Sequence, residues 1–101
     1  MPLSRDQILE TLQAHRNFLA AEYGVHRIGL FGSYAKNDPH DGSDIDLVAE
    51  LDRPLGLKFI ELTEYLEGLF GKKVDVLTPA GILSIRNKEL AREIRESVVY
   101  A

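Results

Sequence analysis

In the middle of the chain, Asp44-Ile45-Asp46 sets two carboxylates two positions apart, and Gly32-Ser33 precedes them by ten intervening residues. On an extended strand, side chains at i and i+2 point to the same side. Like charges held that close raise each other's pKa, so the pair is costly in an empty site. A divalent cation removes that cost and turns the pair into ligands. Magnesium suits the donor set, because it takes oxygen ligands, keeps several waters, and is usually held by one or two carboxylates together with substrate phosphates. Gly32-Ser33 ends an apolar run and precedes a short helical turn, a place where exposed backbone N–H groups attract phosphate. Taken separately, each piece has an ordinary explanation: a solvated acidic strand edge for the aspartates, a strand-terminating turn for Gly-Ser. A calcium loop of the EF-hand kind around Asp41-Gly42-Ser43-Asp44 does not fit, since its ligand order and closing Glu are wrong.

The elements that would position these residues are legible from periodicity and caps. Ser4 with Gln7 matches a capping box. Ile8, Leu12 and Leu19 give the helical stripe that follows, and Tyr23-Gly24 ends it. Val25 to Phe31 reads as a buried strand, with a helical turn at Tyr34-Ala35-Lys36. Residues 37–43 form a polar loop rich in turn formers. Asp44 to Leu51 alternates as a second strand. Ile45, Leu47, Ala49 and Leu51 share one face; Asp44, Asp46, Val48 and Glu50 share the other. Pro54 is placed to start a helix through Leu55, Phe59, Leu62, Leu66 and Leu69, closed by Gly71. Val74 to Leu77 is a third strand, stopped by Thr78-Pro79. The last twenty residues read as one helix, with Leu90, Ile94 and Val98 four apart. The expected fold is α/β (α+β), with helices packed on one small mixed sheet, and residues 1–101 read as a single domain.

Bulk properties narrow the function. The chain has 101 residues, 45% of them hydrophobic, enough for a core without staples. It has no cysteine, which excludes disulfides, thiolate metal sites and a cysteine nucleophile. A net charge of −4 argues against direct nucleic-acid binding. No signal pattern and no apolar run of roughly 20 residues is present, so no membrane role and a cytoplasmic location are expected. Gly68 to Lys73 superficially suggests a phosphate loop, but it lacks the Ser or Thr and precedes a strand. His15, His26 and His40 have no ligand spacing. Glu61, Glu64 and Glu67 read as the wet face of a helix, and Tyr34 as packing.

Taken together, Phe31-Gly32-Ser33-Tyr34-Ala35-Lys36 and Ser43-Asp44-Ile45-Asp46-Leu47-Val48 resemble the signature of the nucleotidyltransferases of the DNA polymerase beta-like superfamily. The likeness is greatest to the minimal nucleotidyltransferases (MNT) that act as antitoxins to HEPN toxins, and it extends over nearly the whole chain. The resemblance implies the nucleotidyltransferase fold. It implies that Gly32 and Ser33 bind the triphosphate of ATP or another nucleoside triphosphate, with Lys36, at a position often Arg, on the phosphates. It implies that Asp44 and Asp46 hold Mg2+, and that Asp75 is the third carboxylate, catalytic and shared with the metal. Family members commonly have Gly after the basic residue; this chain has Asn37, which tolerates the left-handed conformation. The implied activity is transfer of AMP to a tyrosine of a cognate HEPN-domain toxin. The alternative is a non-catalytic antitoxin that neutralises its partner by complex formation. A nucleotidyltransferase acting on RNA or a small molecule ranks lower, because the chain shows no second segment to hold such an acceptor.

Overall fold

Helix α1 (Arg5–Ala14) begins at the expected capping box: the Ser4 hydroxyl accepts the Gln7 N–H at 3.1 Å, and the Gln7 amide oxygen accepts the Ser4 N–H at 2.9 Å. The protein is described from a computed structural model covering residues 3–39 and 42–101, so His40 and Asp41 lie outside the described residues. The expected single N-terminal helix is two. At His15 the backbone leaves helical values, and the ring Nδ1–H donates to the Thr11 carbonyl at 2.8 Å. Helix α2 (Arg16–Tyr23) then continues on the same side, so Ile8, Leu12 and Leu19 stay in one fully buried stripe. Gly24 ends it in the left-handed conformation, as expected.

Strand β1 (Val25–Phe31) has the expected bounds and runs into the four-residue helix α3 (Gly32–Ala35). Strand β2 (Ile45–Leu51) pairs antiparallel with β1 and parallel with β3 (Val74–Leu77). The sheet order is β3-β2-β1-β4, where β4 is Val99–Tyr100, antiparallel to β1. The small mixed sheet is therefore as expected, with helices on both faces. One face carries α1, α2 and α4 (Lys58–Phe70), where Leu62 and Leu66 meet Leu30, Ile45 and Leu47. The other carries α5 (Pro79–Leu83) and α6 (Lys88–Ser97), where Ile82, Ala91 and Ile94 cover Phe31 and Val48.

Two further expectations are corrected. Helix α4 starts at Lys58, not at Pro54, because Gly56 holds a positive φ of 57° that no helix interior accommodates. The last twenty residues are not one helix. Thr78 caps α5 by accepting the Gly81 N–H, and Asn87 caps α6 by accepting the Leu90 N–H, both at 3.1 Å. The backbone then extends at Val98, and β4 joins the sheet edge. No helix among the described residues is long and apolar enough to cross a membrane.

Asn37 has φ 59°, the left-handed value expected for it, and holds the exit of α3. Asn37→Gly should leave stability nearly unchanged, whereas Asn37→Val should lower it by about 1–2 kcal/mol, because a β-branched side chain is strained in the left-handed region and lacks the short polar group with which Asn tolerates it. Urea denaturation of both variants checks this; equal stability of the Val variant and the parent would contradict the strain.

Candidate active site

Phe31 pairs with Asp46, and Asp46 pairs with Asp75 across the parallel β2–β3 ladder. The pairing places the carboxylates of β2 and β3 side by side, at the usual strand separation of about 4.8 Å. It also brings the turn after β1 against them. Gly32 takes a φ of 76°, and a Cβ built there would collide with the Asp46 carboxylate. Glycine is thus required twice at this position, once for the backbone and once for the close approach. Tyr34 and Ala35 anchor α3 in the first core, leaving Gly32 and Ser33 half-buried at the junction. The Gly32 carbonyl accepts the Lys36 N–H at 3.2 Å, and the Ser33 carbonyl accepts the Asp38 N–H at 2.9 Å, which fixes the turn.

Asp46 is the electrostatic centre. Burial, then the charge of Asp75, then that of Asp44, push its carboxyl up to about 6. Among the described residues, none of the three carboxylates has an ion-pair partner. Glu50, on the same face of β2, contrasts with them: Arg27 pairs with it at 2.9 Å and stacks on Tyr100 at 3.6 Å, so this carboxylate is neutralised. Among the described residues no group of three or more acid or histidine side chains is arranged to hold a metal ion by itself. The open, like-charged row of Asp44, Asp46 and Asp75 instead fits a hard cation whose other ligands come from water and phosphate.

Of the residues singled out in the sequence, Gly32, Asp44, Asp46 and Asp75 come together, with Ser33 following in the same turn. Lys36 lines one cleft with Gly32 and with Leu90 and Ile94 of α6, but its ammonium is directed to Glu93, 3.7 Å away, with both side chains mostly exposed. Tyr34 is packing, as expected. His15 meets the edge of Tyr65 and bonds the backbone, and His26 is exposed on β1. Glu61 and Glu64 are exposed, but Glu67 is not merely wet: its carboxylate accepts the Val74 N–H at 3.2 Å and pins the start of β3, and so the register of Asp75. Nothing in local periodicity distinguishes Glu67 from Glu64.

A four-stranded mixed sheet with an acidic row beside a Gly-Ser turn is the architecture of a nucleotidyltransferase domain. Residues 12–101 match the family model described as "Nucleotidyltransferase domain". The chain is 39% identical over 93 residues to protein adenylyltransferase MntA of Thermococcus cleftensis, covering 91% of this chain and 94% of that one. It is also 39% identical over 97 residues to a Methanocaldococcus jannaschii protein named provisionally as a protein adenylyltransferase, covering 93% and 94%. A solved structure described as a minimal nucleotidyltransferase superposes with a TM-score of 0.66 at 32% identity, covering 90% of this chain and 93% of that one. A toxin–antitoxin structure with AMP-PNP shares the fold, with a TM-score of 0.64 at 22% identity over 97% of this chain and 72% of that one. The chain belongs to the nucleotidyltransferase family and is a nucleotidyltransferase enzyme.

The raised Asp46 carboxyl has a consequence for stability. Its pKa moves from 3.8 in the unfolded chain to about 6 in the folded protein. The folded state therefore binds the proton more tightly, and ionised Asp46 opposes folding above about pH 6 but not below about pH 4. In metal-free protein, Asp46→Asn should raise stability at pH 8 by about 1 kcal/mol, after discounting for solvent screening at this half-exposed group. For a chain this size that is about 5 °C in Tm. The gain should vanish at pH 4. Thermal melts at the two pH values check it, and a lower Tm for the variant at pH 8 would contradict the crowding of charge.

Proposed function

We propose that this nucleotidyltransferase transfers AMP from ATP, with Mg2+, to a tyrosine hydroxyl of a cognate HEPN-domain toxin, and so acts as its antitoxin. The observation that carries the reading is the placement of Asp46 between Asp44 and Asp75, against Gly32. The relatives named as protein adenylyltransferases support the choice of nucleotide and of a protein acceptor. The toxin and its tyrosine rest on the sequence resemblance.

In this reading Asp44 and Asp46 hold the metal, with Asp75 sharing it from the neighbouring strand. When bound, a divalent ion supplies positive charge to the phosphoryl group in transfer. The backbone N–H groups of the Gly32-Ser33 turn and the Ser33 hydroxyl donate to phosphate oxygens, and the missing Cβ at Gly32 lets them approach. Lys36 leaves Glu93 for phosphate, which costs little because an exposed pair is worth roughly 0–1 kcal/mol. Asp75 is exposed, so a hydroxyl carried by another molecule can reach it. It accepts the hydroxyl proton as the oxygen bonds to the α-phosphorus. The bond from that phosphorus to the bridging oxygen breaks, and pyrophosphate leaves with the electron pair. The protein's contribution is mostly placement and charge.

The test is intact-mass analysis of the toxin after incubation with this protein and ATP, alongside calorimetric ATP binding with magnesium and with chelator. Binding should require the metal, and Asp46→Asn should abolish transfer. Asp75→Asn should keep most ATP affinity and lose about a hundred-fold or more in rate, as for loss of a general base. Asp52→Asn, at an exposed turn beside Arg53, should transfer at the parental rate. Equal ATP affinity in excess chelator, or a parental rate for Asp75→Asn, would overturn the corresponding assignment. Tight toxin binding without transfer would point to neutralisation by complex formation.

A further inference from the structure

We propose that the acceptor protein docks on the α5–α6 side of the sheet, inserting a large apolar side chain into a cleft beside Leu83 and placing a carboxylate on Arg95. The inference rests on the protein-acceptor reading above. The cleft measures about 330 Å³ and is lined by Ile82, Leu83, Val98 and Tyr100, with Glu50 and Arg95 also on its walls. That volume is at the low end for a ligand pocket and suits one or two side chains better than a whole cofactor.

Three observations select this surface and this occupant. The first is position. Glu50 shares the strand face of Asp46, four residues on, which is about 13 Å along β2. A partner seated here covers the cleft and the acidic row within one ordinary interface, about 800 Å² per partner. The second is apolar exposure. Leu83 is 72% exposed and Leu90, on the neighbouring α6, is 45% exposed. Leu57 and Ile60 are exposed too, but α4 covers the opposite sheet face, where a docked hydroxyl cannot reach Asp46 or Asp75. The third is charge. Glu50 is already satisfied by Arg27, whereas Arg95, among the described residues, has no ion-pair or hydrogen-bond partner. The surface thus offers an apolar slot flanked by one unneutralised guanidinium, which complements an apolar side chain next to an Asp or Glu. Arginine at such a rim gives a planar fork for a carboxylate.

The experiment measures the dissociation constant of the complex with the HEPN-domain toxin in the absence of ATP, and Mg-ATP affinity separately. Leu83→Asp and Arg95→Glu should each weaken toxin binding about ten-fold or more, the scale of an interface anchor. Leu83→Met should bind as the parent does. Mg-ATP affinity should be unchanged in all three, since none of these side chains lies at the acidic row, and Tm should fall by no more than about 5 °C in Arg95→Glu, which loses the cation from the last turn of α6. Parental toxin affinity in both charged variants would overturn the docking surface, as would a parent that does not bind the toxin at all. So would self-association of the parent that Leu83→Asp abolishes while toxin binding persists, which would make the cleft a contact between copies. A parent that binds the toxin through this surface but never transfers AMP would leave the docking standing and overturn the activity.

Discussion

Repulsion among Asp44, Asp46 and Asp75 is the constraint around which the sheet is built. A row of like charges at a strand end would normally be relieved by a shift of register or by recruitment of a cation side chain. Neither happens. Ile45 and Leu47 alternate with the acids on β2 and are fully buried against α4 and the N-terminal helices. A one-residue slip would turn both into the acidic face and bring aspartates into the core, so burial on one side fixes the charges on the other. The energy comparison is clear: burying a Leu or Ile side chain is worth about 1.5–3 kcal/mol each, more than the cost of one crowded, half-exposed carboxylate.

The same strand also shows what an ordinary structural carboxylate looks like. Glu50 shares the face of Asp46, yet Arg27 neutralises it and Tyr100 backs the guanidinium. Among the described residues no such partner stands at Asp46, whose carboxyl burial and neighbours drive up to about 6. In the proposed reading, a carboxylate left unneutralised beside two others, and kept that way by packing, is the place that would take a cation brought with substrate. Gly32 extends this reading to the phosphate side, because any larger residue would fill the space that Asp46 now occupies. The turn and the acidic row are therefore one unit, joined by the pairing of Phe31 with Asp46.

Support for this unit comes from residues that hold the backbone in place. Glu67 holds the first N–H of β3 from the end of α4 and so helps to set Asp75 opposite Asp46. Tyr34 and Ala35 bury α3 and hold the Gly-Ser turn from beneath. Asn37 takes the left-handed conformation at which α3 must stop, with a side chain that tolerates it.

What the sequence determined by itself was whatever depends on neighbours in the chain. The Ser4–Gln7 box, the left-handed ends at Gly24 and Gly71, the bounds of β1 and β3 and the alternation of β2 all rest on contacts within a few residues or on strict periodicity. Asp44 and Asp46 were legible for the same reason, as i and i+2 in one extended stretch, although β2 opens at Ile45 and not at Asp44 as the alternation suggested, so that Asp44 stands just ahead of the strand. Asp75 was reached only through the family resemblance; the β2–β3 register that sets it opposite Asp46 is tertiary. Periodicity misread the C-terminus, because Leu90, Ile94 and Val98 keep helical spacing although Thr78 and Asn87 cap two separate helices and Val99 pairs with Leu30, distant in sequence. It likewise could not tell Glu50 from Asp46, or Glu67 from Glu64. Whether a charged side chain is satisfied depends on Arg27 or Val74 arriving from another element, and only the folded chain decides which partners meet.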